Sequence, residues 1–116
     1  MTISIYHNPR CSKSRETLAL LSEHAITPTV ILYLDTPPTI EQLQQLYRQL
    51  GYSSVREMMR TKEKQYQELQ LDDQNLTDQA LFEAIALHPK LLERPIVVNN
   101  DKAAMGRPPE HVLSIL

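Results

Sequence analysis

Cys11 is the only cysteine among the 116 residues, and its neighbours in sequence make it a candidate nucleophile. It follows a turn-prone His-Asn-Pro segment and precedes a predicted helix, whose free N–H groups and dipole would stabilise a thiolate. Arg10, Lys13 and Arg15 add positive charge around it. Because such surroundings lower a thiol pKa from about 8.5, Cys11 is predicted to be a reactive thiolate. An inert, buried cysteine is the alternative.

Three of the seven arginines stand where they could bind an anion. Arg60 closes a predicted short helix, Arg94 precedes Pro95 at a predicted strand start, and Arg107 lies in a turn beside glycine and proline. Turns at strand ends collect ligand groups in α/β folds, and a guanidinium holds an oxyanion by paired, charge-assisted hydrogen bonds. An ordinary solvated cation is the alternative for each.

His7 lies four residues before Cys11 and could hydrogen-bond the thiolate or its neighbours. A turn histidine without a role is the alternative. One cysteine and four scattered histidines offer no pair at ligand spacing, so the sequence predicts no metal site. A single cysteine also excludes an intramolecular disulfide, which points away from a stapled secreted module.

The composition predicts one globular domain spanning residues 1–116. Hydrophobic residues make up 41% and charged residues 22%, and the formal net charge is −2. Without a basic field we expect no nucleic-acid partner. The sequence shows neither a secretory signal nor an apolar stretch long enough for a membrane span, so we expect a cytoplasmic protein with no membrane partner.

The elements that must position these side chains begin with a βαβ unit. Residues 2–6 alternate as a strand, and residues 12–25 have helical spacing with Glu16 in the first turn. Residues 29–34 form a continuous apolar run, which predicts a strand buried on both faces. The two strands should be parallel with a right-handed crossover, and Cys11 should lie at the helix start.

The middle of the chain, about residues 39–90, is predicted to be a helical insert. Thr39 with Gln42 forms a capping-box pattern before a helix that Gly51 closes, and the pattern recurs before a short helix over residues 55–60. A further helix begins at Thr77. Residues 61–70 are polar and are interpreted as a solvated connector of uncertain form.

The last part of the chain predicts a hairpin followed by a helix. Residues 95–98 and 103–105 form short β runs around a tight turn over 99–102, and prolines precede a helix over 111–116. The order is therefore βαβ, helical insert, ββα. This is an α/β fold with the insert between the second and third strands.

Three separated segments resemble the glutaredoxin-coupled arsenate reductases, which are grouped with Spx-type regulators. They are residues 6–15 (YHNPRCSKSR), 93–98 (ERPIVV) and 106–108 (GRP). The similarity covers essentially the whole chain and includes the order of strands, helices and insert. It implies a thioredoxin-like fold with a helical insertion.

The resemblance also implies a site and a reaction. Cys11 matches the catalytic cysteine, and Arg60, Arg94 and Arg107 match three substrate arginines; His7 and Ser14 are expected to support them. The implied reaction reduces arsenate to arsenite through a Cys11 thiol-arsenate, with glutathione as co-substrate, glutaredoxin as partner and no tightly bound cofactor. A cis peptide before Pro95 is also implied, against a base rate of about 5–6% for such bonds.

Two features leave alternatives open. Plasmid-type arsenate reductases usually have Gly-Thr after the cysteine, where this chain has Ser12-Lys13, so another oxyanion or a glutathione mixed disulfide is an alternative substrate. Spx-type relatives bind RNA polymerase, and many use a Cys-x-x-Cys switch. Here Ser14 takes the place of the second cysteine, which excludes a dithiol switch.

Overall fold

The computed structural model describes residues 2–116, and the chain divides into two compact units. The first unit contains the segment up to Thr36 together with Arg94–Leu116, and the second is Pro37–Glu93. The insert predicted at about residues 39–90 lies inside the second unit. That the whole chain is a single domain of residues 1–116 stays a prediction.

A four-stranded mixed sheet lies in the first unit. Its strands are β1 (Ile3–Tyr6), β2 (Thr29–Ile31), β3 (Ile96–Asn99) and β4 (Lys102–Met105). Their order is β2-β1-β3-β4, with β1 parallel to β2 and antiparallel to β3, and β3 antiparallel to β4. In β1, Ile5 lies opposite Val30 on one side and Val97 on the other. The parallel first pair and the final hairpin are both confirmed.

Helix α1 (Ser12–Glu23) connects β1 to β2 and, with a 3₁₀ helix at Pro109–Ile115, covers an apolar core. Full burial of an aliphatic side chain stabilises a fold by about 1.5–3 kcal/mol. This core therefore fixes α1, and with it the residue at its start, against the sheet. The fully buried members of the core are Ile5, Leu21, Val97 and Val112.

The second strand differs from its prediction. It ends at Ile31, and in the sheet formed by residues 2–116 it is an edge strand, paired with β1 alone. A turn follows, in which the Asp35 N–H donates to the Leu32 carbonyl at 3.0 Å. Leu32 is 40% exposed, so the prediction of a strand buried on both faces was wrong. Continuous apolar character does not mean burial here, because only Tyr33 in this run is fully buried.

Both helices of the first unit also differ in detail. Helix α1 ends at Glu23 because Ala25 takes a positive φ of 59°. Its first turn contains no acidic residue, so the prediction that Glu16 lies in that turn was wrong. The last element is a 3₁₀ helix beginning at Pro109. Its end is held by Asn99, whose side-chain N–H donates to the Ile115 carbonyl at 2.6 Å.

The second unit consists of short helices separated by turns. Thr39 caps the first with the predicted capping box, and Gly51 ends it in the left-handed region at φ 71°. Tyr47 and Phe82 make an edge-to-face contact between the two longest helices of this unit, with their ring centroids 5.8 Å apart. Within residues 2–116 no helix is long and apolar enough to cross a membrane. The helices are α2 (Ile40–Leu50), α3 (Lys64–Glu68), α4 (Asp78–Leu87) and the 3₁₀ helices Val55–Met58 and Pro89–Leu91.

The connector at residues 61–70 is more ordered than its polar composition indicated. It contains α3, and Tyr66 in that helix is buried. Arg56 holds the segment by donating to the Leu71 carbonyl at 2.9 Å and to the Asp73 carbonyl at 2.7 Å. A single aromatic residue and one arginine therefore order a stretch that the sequence pattern alone left undefined.

Candidate active site

Cys11 is the N-cap residue of α1, as predicted. Its backbone is extended, with φ −94° and ψ 123°, and its N–H donates to the Asn8 carbonyl at 3.0 Å. The Asn8 side-chain oxygen in turn accepts from the Arg10 backbone N–H at 3.0 Å. This tight turn places the thiol at the positive end of a 12-residue helix, where a thiolate is stabilised.

Ser14 connects the loop before the cysteine to the cysteine itself. Its hydroxyl oxygen accepts from the Asn8 N–H at 3.0 Å and lies 2.7 Å from His7 Nδ1. The Ser14 backbone N–H donates to the Cys11 sulfur. Both Ser14 and His7 are buried. Burial, followed by the positive charge of Arg15, lowers the pKa of His7, so this ring is neutral at neutral pH.

Arg94 and Arg107 both face the thiol. Arg107 Nη2 lies 3.6 Å from Cys11 Sγ, and its Nε donates to the Arg94 carbonyl at 2.7 Å. Arg94 donates a side-chain hydrogen bond to the same sulfur. One residue lies just before β3 and the other just after β4, so the hairpin brings together two arginines that are 13 residues apart. The peptide before Pro95 is cis, as the resemblance implied, and the Arg107–Pro108 peptide is cis as well.

The pKa of Cys11 is lowered overall. Burial raises the pKa of this thiol, but the Ser14 N–H and the guanidinium groups of Arg94 and Arg107 outweigh that effect. Two of the three cations expected from the sequence, by contrast, are engaged elsewhere, and Arg10 is not among the groups that lower the pKa of Cys11. Lys13 pairs with Glu16 at 3.5 Å, and Arg15 Nη1 donates to the Pro9 carbonyl at 2.8 Å. The lowered pKa of Cys11 has the predicted direction, but the cations that lower it come from distant turns rather than from sequence neighbours.

Gly106 allows this close approach and was missed by the sequence reasoning. A Cβ on Gly106 would lie 2.5 Å from Thr17 Oγ1 and 2.7 Å from Pro95 Cγ. Thr17 is fully buried and donates its hydroxyl to the Lys13 carbonyl at 2.8 Å. Helix α1 therefore packs directly on the backbone that leads to Arg107. Glycine in a Gly-Arg-Pro turn was the available signal.

Arg60 belongs to the second unit. Its guanidinium forms ion pairs with Glu93 at 3.3 Å and Glu63 at 3.5 Å, and the Arg60 backbone N–H donates to the Leu91 carbonyl at 2.7 Å. The predicted helix over residues 55–60 ends early, at Met58, because the chain then forms a β-bridge between Met59 and Leu92. That Arg60 converges with the other two arginines stays a prediction.

No group of three or more metal-binding side chains occurs within residues 2–116. The groups assembled around Cys11 are guanidinium and backbone N–H donors, and Arg107 is exposed while Arg94 is half-buried. Positive donors around a nucleophilic sulfur suit an anionic oxygen ligand, because guanidinium forks match the geometry of oxyanions.

Comparison with known proteins agrees with this geometry. The arsenate reductase of Haemophilus influenzae is 53% identical over 116 aligned residues, which cover 100% of this chain and 100% of that protein. The arsenate reductase of Neisseria meningitidis serogroup A is 54% identical over 114 residues, which cover 98% of this chain and 97% of that protein.

A solved structure and a family model extend the match to the fold. The structure of the arsenate reductase from Vibrio cholerae superimposes with a TM-score of 0.99 at 62% identity, over 100% of this chain and 98% of that one. The predicted thioredoxin-like α/β fold is thereby confirmed. The model of the ArsC family matches residues 6–115, a range that includes Cys11 and all three candidate arginines. The chain therefore belongs to the ArsC family.

Proposed function

We propose that this protein reduces arsenate to arsenite through a covalent intermediate on Cys11, with glutathione and glutaredoxin as reducing partners. The observation that carries the proposal is the pair of guanidinium groups against a thiol of lowered pKa. Two relatives that are more than half identical in sequence are named arsenate reductases, which supports arsenate as the oxyanion.

Binding comes first. Arsenate is largely dianionic near neutral pH, and Arg94 and Arg107 would hold its oxygens by charge-assisted hydrogen bonds next to the sulfur. The contact from Arg107 Nε to the Arg94 carbonyl fixes the orientation of its guanidinium before any ligand arrives. We propose that Arg60 supplies the third fork.

Covalent attack follows. The Cys11 thiolate donates its electron pair to arsenic, a sulfur–arsenic bond forms, and one arsenic–oxygen bond breaks. The departing oxygen takes up protons and leaves as water. The two arginines bind the oxygens that remain, so the same donors serve the substrate and the thiol-arsenate.

Reduction needs a second thiol, and the sequence contains none besides Cys11. A glutathione thiolate therefore attacks the Cys11 sulfur; a disulfide forms, the sulfur–arsenic bond breaks, and its electron pair leaves with arsenic as arsenite. Glutaredoxin then attacks the glutathione sulfur and frees the Cys11 thiolate. Both reductants belong to a reducing compartment, so we place the protein in the cytoplasm. Glutathione is a co-substrate here, and we propose no tightly bound cofactor.

His7 and Ser14 act as positioning residues in this scheme. The Ser14 hydroxyl ties the buried His7 ring and the Asn8 N–H together, and its backbone N–H contacts the sulfur. Because the pKa of His7 is lowered, its ring adds no positive charge to this buried position. The loop and the start of α1 would therefore keep the sulfur in place as its charge changes.

A coupled assay tests the function. Arsenite formation from arsenate is measured with glutathione and glutaredoxin, and with dithiothreitol alone. We expect turnover only with the complete glutathione system, and none for Cys11→Ser. Equal turnover with dithiothreitol alone would contradict the assigned reductants.

A second candidate is reduction of glutathione mixed disulfides on other molecules. The partial exposure of Cys11 favours it, because an incoming disulfide needs access to the sulfur. The same assay with a glutathionylated peptide and no arsenate separates the two functions. Faster turnover of the peptide than of arsenate would favour the second.

A further inference from the structure

A cleft of about 290 Å³ opens in the first unit beside the loop that carries Cys11. One wall is the loop at residues 7–10, which ends at the cysteine, and the opposite wall is formed by Leu32, Leu34 and Asp35. The cleft lies near the lower end of the range for small-molecule sites, about 300–1,000 Å³. It is lined by side chains that the arsenate chemistry does not use, apart from the His7 ring.

Two opposite charges line this cleft without pairing. Arg10 and Asp35 are both exposed, and within residues 2–116 neither side chain makes a hydrogen bond or an ion pair. The neighbouring cations Lys13 and Arg15 do have partners, a carboxylate and a carbonyl respectively. The cleft therefore offers one unused cationic donor group and one unused carboxylate acceptor at the edge of the active site.

Apolar surface lies beside these charges. Leu32 and Leu34, which follow the edge strand β2, are 40% and 37% exposed. A fitting ligand is small, carries both an ammonium and a carboxylate, and has aliphatic stems between them. Glutathione has these features, with its thiol in the central residue of three and its charges towards the ends.

We propose that this cleft binds the glutathione that forms the mixed disulfide with Cys11, with Asp35 at the γ-glutamyl ammonium and Arg10 at a carboxylate. The inference rests on the glutathione step of the proposed function and names the surface that performs it. Arg10 directly precedes the cysteine, so their Cα atoms are about 3.8 Å apart. A charge on a tripeptide linked to the sulfur is therefore within reach of this side chain.

The test uses a reaction that contains no arsenate. The Cys11 thiolate attacks oxidised glutathione; one disulfide bond breaks, a mixed disulfide forms, and a glutathione thiolate leaves and is protonated. Rate constants are measured for wild type, Arg10→Gln and Asp35→Asn, with hydroxyethyl disulfide as an uncharged reagent. The matched controls are Arg48→Gln and Asp101→Asn, which change the same charges at exposed positions outside the cleft.

We expect each cleft variant to react about two- to fivefold more slowly with oxidised glutathione, because the loss of one exposed ion pair changes an affinity by about that factor. With hydroxyethyl disulfide, each variant should react at the wild-type rate. The direction in which Asp35→Asn changes the rate with oxidised glutathione separates direct binding from a long-range effect of charge. Oxidised glutathione is an anion, so a purely long-range field would make this variant faster. The disulfide of N-acetylated glutathione lacks the ammonium and should not distinguish Asp35→Asn from wild type.

Three results would overturn the proposal: faster reaction of Asp35→Asn with oxidised glutathione, equal slowing with both disulfides, or no change in either cleft variant. Equal slowing would mean that the thiol itself had changed. Because arsenate is absent, these outcomes are independent of arsenate reduction. A protein that fails the coupled assay can still pass this test, and the reverse also holds.

Discussion

Replacing Arg107 with glutamine should make the thiol less reactive at acidic pH without altering the fold. Arg107 is exposed, and its Nη2 lies 3.6 Å from the Cys11 sulfur. Its positive charge is one of the causes that lower the pKa of Cys11. Removal of the charge should therefore raise the pKa of this thiol and leave less thiolate at a pH below it.

The size of the effect follows from that separation. Two unit charges at this distance attract by about 1.2 kcal/mol in a water-like dielectric, which is the appropriate limit for an exposed arginine. An energy of this size changes an equilibrium about sevenfold, since about 1.4 kcal/mol is tenfold. At a pH below the thiol pKa of both proteins, the alkylation rate of Cys11 by iodoacetamide should fall by about that factor, whereas at a pH well above both it should be unchanged.

The control for this experiment is Arg48→Gln, which removes an exposed arginine on α2 and should match wild type at every pH. Superimposable pH profiles of Arg107→Gln and wild type would show that the charge of Arg107 does not lower the pKa of Cys11. Wild-type alkylation near pH 6 no faster than that of free glutathione would contradict the lowered pKa itself, because the thiol would then not be activated.

Cys11→Ser should bind arsenate but never turn it over. Equilibrium binding of arsenate measures the first expectation, and the coupled assay measures the second. Because folding lowers the pKa of Cys11, the thiolate stabilises the fold above the ordinary thiol pKa, and this contribution is lost as pH falls through the lowered value. The unfolding free energy of wild type relative to Cys11→Ser should therefore increase from about pH 5 to about pH 9 in urea titrations; a constant difference would contradict the lowered pKa. Gly106→Ala should lose about 1–3 kcal/mol of stability because its Cβ would overlap Thr17 and Pro95, and unchanged urea midpoints would show that the contact is not tight. Arg60→Lys should weaken arsenate binding by about ten- to a hundredfold, since an ammonium cannot replace a two-donor fork, while Arg48→Lys should bind normally; equal affinities would remove Arg60 from the site.

Local signals in the sequence predicted most of the elements of this fold. The Thr39 capping box, the Thr77 cap and the glycine that ends α2 act within one or two turns, so they can be read from neighbouring residues. The apolar run after Thr29 failed for the opposite reason. Whether an apolar strand is buried depends on its place in the sheet, and β2 lies at an edge.

In the site, too, features set by neighbouring residues were predictable, whereas features set by the tertiary fold were not. The position of Cys11 at a helix start depends on a short segment and was predicted correctly. The cations that lower the pKa of Cys11 were misassigned, because charge near a residue in sequence is not charge near it in space. Only the hairpin between β3 and β4 brings Arg94 and Arg107 to the sulfur, and only packing of α1 on Gly106 reveals why that turn needs glycine.

In the proposed reaction, reduced glutathione reacts at Cys11 only after arsenate has bound to its thiolate. The most direct measurement is mass spectrometry of protein quenched during reaction with arsenate and reduced glutathione, with glutaredoxin omitted. We predict one glutathionyl adduct per chain, located on Cys11, together with one equivalent of arsenite, and no adduct when arsenate is left out. Arsenite released without any adduct, or an adduct that forms equally well without arsenate, would contradict it.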